Sequence, residues 1–272
     1  LILAFGSSFS NHTGIEPKKP TIQVDFERMA LGKFHPVTVP VWGEIGVTVA
    51  RIRETLGKVG HTVDQRAELA ERWKIWRAEK ESRLGDDQSE GVSSASLFAA
   101  LGNVVPADAI IAVDVGNNTY SFGRYFESKG QPVLMSGYLG SIGFSFPAAM
   151  GAWAATQDLD DYRGRKVVSI SGDGGFGQYM GEFNTAVKYN MDITHVLLNN
   201  SELGKISKEQ RAGDWPVWQT DLHNPRFSAY ANLCGGKGFR VTAKEQLAET
   251  LAEALAHNGP SLVEVVTNVD LI

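Results

Sequence analysis

The sequence predicts an α/β protein, a doubly wound parallel sheet preceded by part of a second, Rossmann-like α/β domain. Three observations carry this. Val167, Val168 and Ile170 form an apolar run that breaks at Gly172-Asp173-Gly174-Gly175 and passes into a helical pattern with Phe183, Ala186 and Val187, so the order is strand, glycine turn, helix. A second apolar run, Ile193 to Leu198, stops at Asn199-Asn200. It completes a right-handed βαβ unit that leaves Asp173 and Asn200 just past the carboxyl ends of two parallel strands, facing one crevice. Finally, 272 residues exceed a typical single domain and allow two sizeable cores.

In chain order, Leu1–Phe5 reads as a core strand already under way, without an initiating Met, so the sequence is expected to be the carboxyl-terminal part of a longer protein. Thr21–Asp25 is a second strand ending in an acid, placed where a nucleotide-binding sheet meets a ribose hydroxyl. Pro40-Val41-Trp42-Gly43-Glu44 opens an amphipathic helix through Leu56. From His61 to Arg83, Leu69, Trp73 and Trp76 recur at helical spacing among charges, the mark of a surface helix. The stretch 85–93, polar and glycine-containing, is the expected linker between a domain of residues 1–84 and one of residues 94–272.

The second domain opens on a capped helix, Ser94–Leu101, and a strand, Ile110–Val115, that ends in Gly116-Asn117-Asn118-Thr119. Ser136 to Ala149 carries four glycines before a helix, a sign of close backbone approach to a ligand or to a neighbouring helix. After Asn200, Ser201 to Gln210 reads as a short helix over the cleft. Asp221 starts a further helix ending at Gly235-Gly236, Gly238–Val241 is a strand, Lys244–Ala256 a regular helix, and Ser261–Val266 the last strand. Trp215, Trp218 and His223 receive no role.

A net charge of −5 with dispersed basic residues gives no footprint for nucleic acid. No apolar stretch approaches the roughly 20 residues of a membrane span. The single cysteine, Cys234, excludes an intrachain disulfide and suits a reducing, cytoplasmic compartment; it reads as core rather than reactive.

Asp173 offers a carboxylate oxygen and Asn200 an amide oxygen, and the glycines leave backbone N–H groups free to approach phosphate. Such a set suits a diphosphate held by magnesium, which takes oxygen ligands at about 2.0–2.1 Å. Taken singly, Gly-Asp-Gly is also a tight turn and Asn-Asn a strand end. Together, with strand-length and helix-length patterns between them, they resemble the signature of the thiamine-diphosphate superfamily of pyruvate oxidase, acetolactate synthase and pyruvate decarboxylase. The resemblance covers nearly the whole chain and is strongest over 110–272.

This resemblance implies a thiamine-diphosphate-binding fold and a magnesium ion held by Asp173, Asn200 and the main-chain carbonyl of Glu202. Gly172, Gly174 and Gly175, with Gly116, Asn117 and Asn118, would lie along the diphosphate. Gly140, Ser141 and Ile142 would meet the rings, the Gly140 carbonyl accepting from the 4′-amino group and Ile142 propping the cofactor in a V shape. Glu209 and Ile206 occupy the motif positions that face substrate; Glu209 reads equally as a solvated charge, and Lys205 stands where the family often has an apolar side chain. The implied reaction is decarboxylation of a 2-oxo acid such as pyruvate, followed by oxidation or carboligation. In the oxidase and synthase branches the central domain carries FAD in several members. The glutamate that activates the cofactor comes from an amino-terminal domain, of the same or a partner subunit, so a homodimer or homotetramer is implied and residues 1–272 alone are expected to be inactive. The competing reading is a nucleotide-binding or regulatory α/β module without catalysis.

Overall fold

The computed structural model describes residues 1–7, 16, 18–60, 63–84, 91–137 and 139–268. It divides into two compact units, Leu1–Arg72 and Trp73–Ile272. Of the expected linker, 85–90 lie outside the described residues, as do His61 and Tyr138. Its last residues belong to the second unit: Val92 is fully buried, and its N–H donates to the Val266 carbonyl at 2.8 Å.

The first unit is a parallel sheet of β1 (Ile2–Phe5), β2 (Thr21–Asp25) and β3 (Val39–Trp42), in that order. Residues 40–42 are therefore strand rather than the head of a helix, paired Ile22 to Val39 and Val24 to Val41. Pro40, which has no N–H to give, is tolerated because β3 is an edge strand. Glu44 then caps α1 (Ile45–Val59), its carboxylate accepting from the N–H groups of Gly46 and Val47. Helix α2 (Arg66–Arg83) buries none of its residues, as its charged surface pattern requires.

The second unit is an α/β fold on one parallel sheet. Its strands are β4 (Ile110–Val113), β5 (Val133–Met135), β6 (Val167–Gly172), β7 (Ile193–Asn199), β8 (Lys237–Val241) and β9 (Ser261–Val266), ordered β5-β4-β6-β7-β9-β8. The helices are α3 (Ser94–Val104), α4 (Asn117–Tyr125), α5 (Ser145–Asp158), α6 (Asp173–Tyr179), α7 (Glu182–Lys188), α8 (Gly204–Ala212), α9 (Phe227–Leu233) and α10 (Leu247–Ala256). Successive strand residues point to opposite faces, so each face builds its own core. Ile111, Val113, Val168 and Ile170 pack with Phe98, Phe122 and Leu251 of α3, α4 and α10. Ile110, Ala112, Val167 and Ile193 pack with Phe146, Phe176, Phe183 and Phe227 of α5, α6, α7 and α9. Cys234, at the end of α9, is half-buried against this second core. Among the described residues no helix is long and apolar enough to cross a membrane.

The chain runs from β4 outward to β5, then returns past β4 to β6. This reversal opens a crevice at the carboxyl ends of β4 and β6, where open α/β sheets take their ligands. Several elements depart from the sequence pattern. The glycine turn after β6 opens α6 directly, and Met180-Gly181 separates it from α7. Helix α9 starts only at Phe227, because Asp221 bridges Glu202, Leu222 donates its N–H to the Ser201 carbonyl and Asn224 donates to Asp173. Asn117 begins α4 rather than ending a turn.

Glu264 in β9 is fully buried. It accepts from Asn199 Nδ2 (2.9 Å), from the N–H (3.0 Å) and hydroxyl (2.9 Å) of Ser228, and from Arg240. Burial alone would raise its pKa, but these donors together hold it below its ordinary value of 4.5. A carboxyl depressed on folding lends stability above its unfolded pKa and loses it as pH falls through the folded value. Glu264→Ala is expected to cost about 3 kcal/mol in urea unfolding at pH 7, since it strands a cation and three donors. That difference should shrink as the pH is taken below the ordinary value of 4.5 and through the lower folded value, where the parent's own Glu264 protonates.

Candidate functional site

Four loops leave the carboxyl ends of β4, β5, β6 and β7 and line a cavity of about 240 Å³. Asp114, the residue after β4, is 1% exposed. Its carboxylate accepts from the N–H groups of Val115 (2.7 Å), Gly143 (2.8 Å) and Phe144 (3.2 Å). One side chain thereby ties the end of β4 to the loop that starts α5. Burial raises the pKa of Asp114, and the three N–H groups work against the rise. Two glycines make room for the knot. Gly143 adopts φ +89°, where an added Cβ would meet the Tyr179 ring at 2.6 Å, and a Cβ on Gly175 would stand 2.2 Å from Asp114 Oδ2.

Past Asp114 the chain turns at Gly116 (φ +129°) into α4. Asn118 Nδ2 donates to the Asp114 carbonyl at 2.8 Å, which leaves Asn117 on the cavity wall with its Nδ2 buried and without a partner among the described residues. A buried amide donor in that state costs free energy unless something accepts from it.

At the end of β6, Asp173 is 2% exposed. Oδ2 accepts from the Ser201 N–H and from Asn224 Nδ2, each at 2.7 Å, and Oδ1 from the Gly174 N–H at 2.9 Å. Burial raises its pKa, against the pull of Asn224, Gly174 and Ser201. Among the described residues no Lys, Arg or His pairs with it. The site therefore holds a buried carboxylate whose charge only dipoles compensate, a setting that favours a bound cation.

Beyond β7, Asn200 Oδ1 accepts from the Glu202 N–H at 3.1 Å. Glu202 bridges antiparallel to Asp221, through bonds from Leu203 N–H to the Thr220 carbonyl (2.7 Å) and from Leu222 N–H to the Ser201 carbonyl (2.8 Å). That pattern turns the N–H and carbonyl of Glu202 itself away from Asp221, and the N–H is the one that meets Asn200. Among the described residues no group of three or more His, Cys, Asp or Glu side chains could hold a metal. The donors gathered here are instead one carboxylate, one amide oxygen and one main-chain carbonyl, hard oxygens of the kind magnesium accepts alongside phosphate.

Most residues singled out from the sequence line this cavity: Gly116, Asn117, Asn118, Gly140, Ile142, Gly172, Asp173, Gly174, Gly175, Asn200, Glu202 and Ile206. Two stand off its wall. Ser141 donates its N–H to Ser136 Oγ at 3.1 Å, and Glu209 pairs with Lys205 at 2.8 Å. Lys205 itself is on the wall. Sequence reasoning passed over Asn224, which reaches Asp173 from 51 residues away, a distance no local pattern encodes. It also gave Asp114 no role, although an acid closing an otherwise apolar strand was a usable sign.

Residues 114–265, more than half of the chain, match the family described as thiamine pyrophosphate enzyme, C-terminal TPP binding domain. The chain belongs to the thiamine pyrophosphate enzyme family. Among similar proteins, the YdaP protein of Bacillus subtilis is 32% identical over 98% of this chain and 45% of its own length. The acetolactate synthase large subunit of Parasynechococcus marenigrum is 28% identical over 97% and 43%, and the pyruvate oxidase of Lactiplantibacillus plantarum 27% over 92% and 41%. The chain thus spans less than half the length of these relatives. Within the thiamine pyrophosphate family match lie the four loops that line the cavity, from Val115 to Ile206.

The contact between Gly175 and Asp114 yields a test of the loop geometry. Gly175→Ala is expected to destabilise the protein by about 1–3 kcal/mol through overpacking. Gly177→Ala, on the same helix with nothing within 4 Å of its added Cβ, should be neutral or stabilising by up to about 1 kcal/mol. Urea unfolding of the two variants side by side measures both.

Proposed function

We propose that the cavity binds thiamine diphosphate through magnesium, and that the whole protein decarboxylates a 2-oxo acid and then oxidises or ligates the product. The observation that carries this reading is the buried Asp173 carboxylate, without a cationic partner among the described residues, beside Asn200 and the carbonyl of Glu202. In this reading those three groups hold the metal. The unpartnered Nδ2 of Asn117 supplies a donor to the diphosphate, and Gly172, Gly174 and Gly175 let it come close to the backbone. A Cβ on Gly174 would stand 2.6 Å from Leu203, 3.3 Å from Leu222 and 3.8 Å from Ile142, so the glycine keeps open a slot walled by three apolar side chains.

When bound, thiamine diphosphate supplies the nucleophilic carbon and the electron sink for decarboxylation. The protein's part is to bind, orient and exclude water. Ile142 and Leu203 form the apolar support on which the rings rest, and the Gly140 carbonyl accepts from the 4′-amino group. Ile206 and Lys205, from the first turn of α8, face the substrate, with Glu209 acting through its ion pair to Lys205. The carboxylate that activates the cofactor is supplied by an amino-terminal domain, of the same or a partner subunit, in an assembly of two or four chains.

Two substitutions in the full-length protein test this. Asp173→Ala should abolish magnesium-dependent binding of thiamine diphosphate in a calorimetric titration. Affinity equal to the parent's, or preference of the parent for NAD or FAD in the same cavity, would favour a nucleotide-binding module instead. Ile142→Ala should lower kcat on pyruvate by about tenfold or more while changing cofactor affinity far less, because small misplacements of reacting groups cost large factors in rate. Equal losses in both quantities would remove Ile142 from that role.

A further inference from the structure

Next to the main cavity lies a second one of about 150 Å³, walled by Asn117, Tyr120, Ser121 and Arg124 of α4 and by Lys205 and Lys208 of α8. The α4 residues recur at one-turn spacing and share a face, as do the two lysines. Three cations meet here and no acidic side chain lines the wall, in a chain whose net charge is −5. Among the described residues Arg124 and Lys208 enter no ion pair, whereas Lys205 pairs with Glu209 at 2.8 Å and lies over the Tyr120 ring at 5.2 Å.

Guanidinium and ammonium groups only donate hydrogen bonds, and the hydroxyls of Tyr120 and Ser121 can do the same. A second observation points the same way. Asn117 lines both cavities, and its Nδ2 is buried with no acceptor among the described residues. Like charges held together beside an unpartnered donor are unfavourable until an acceptor-rich group enters. The volume is that of about five waters, enough for one carboxylate or phosphate with some of its hydration. Lys205, also shared by both walls, makes the two cavities continuous in chemistry.

We propose that this pocket is an oxyanion site serving the main cavity: it binds a carboxylate or phosphate group, borne on the far end of the substrate or entering as a free anion. The link to a substrate rests on the 2-oxo acid reading above; the oxyanion site does not. Arg124 and Lys208 are exposed and recruit the anion, while Lys205 and one of the two Asn117 Nδ2 hydrogens, the other serving the diphosphate, hold it at the boundary between the cavities. Since two of the three cations are solvent-facing, binding must weaken with salt.

The test uses the full-length protein and the double variant Arg124→Gln/Lys208→Gln, with Arg124→Lys/Lys208→Arg as a charge-preserving control and circular dichroism to verify folding. Inorganic phosphate and 2-oxoglutarate are titrated calorimetrically at low and high salt, and the kcat/KM ratio of 2-oxoglutarate to pyruvate is measured. The expected result is at least a tenfold loss of affinity for one or both dianions in the double variant, rescued in the control and reduced by salt. A loss confined to phosphate identifies a free anion as the occupant. A loss for 2-oxoglutarate, with a tenfold fall in its kcat/KM ratio, identifies the substrate's own second group. Equal binding of both probes to parent and double variant overturns the proposal. Should the parent turn over no 2-oxo acid while the variant still weakens phosphate binding, the 2-oxo acid reading fails and the oxyanion site stands.

Discussion

Everything at the crevice depends on keeping one carboxylate, Asp173, buried and ionisable at the end of β6. Desolvation pushes such a group toward its neutral form, and the surrounding donors resist that push. Asn224 and the Ser201 N–H both bond to Oδ2. Asn224 also donates to Asn199 Oδ1 at 3.1 Å, and Asn199 in turn donates to the buried Glu264. A single chain of hydrogen bonds therefore runs from the Arg240–Glu264 pair in β8 and β9, through the end of β7, to the carboxylate at the end of β6. Three strand ends are fixed relative to one another by side chains as well as by the sheet. Rigid placement of this kind is what a site needs if its donors are to match a metal and a diphosphate without reorganising.

The second carboxylate, Asp114, solves a different problem. The loop before α5 must return to the cavity after a long excursion through β5, and it does so because the N–H groups of Gly143 and Phe144 bond to Asp114. The glycines at 143 and 175 are the steric condition for that contact. Ile142, one residue before the knot, is thereby carried to the cavity wall. The apolar support and the polar donors thus share one origin in the order of the strands, since β4 and β6 are adjacent only because the chain reverses between them.

Much of this could be read from residues in order, and the reasons are physical. β-Branched runs at 167–170 and 193–198 are buried on both faces and announce themselves by composition. Asp173 and Asn200 follow from their position at strand ends. By contrast, β5 has three residues, too short for any alternation to register, and β3 contains a proline that reads as a helix opening until its partner strand is known. The bonds from Asn224 to Asp173 and from Gly143 to Asp114 join segments 51 and 29 residues apart. They are products of topology, which periodicity does not encode. Glu209 illustrates the converse: its motif position pointed to the substrate, while the fold gives it an ion pair with Lys205 and leaves Lys205 facing the cavity.

The central claim is that Asp173, Asn200 and the Glu202 carbonyl converge on one metal that carries the diphosphate. The most direct measurement is a crystal structure of the full-length protein grown with thiamine diphosphate and manganese, which stands in for magnesium and scatters anomalously. The account predicts one anomalous peak bonded to those three oxygens, with diphosphate oxygens completing the shell beside Asn117. An ordered cofactor whose metal sits away from Asp173, or a metal at Asp173 with the diphosphate bound elsewhere, would contradict it.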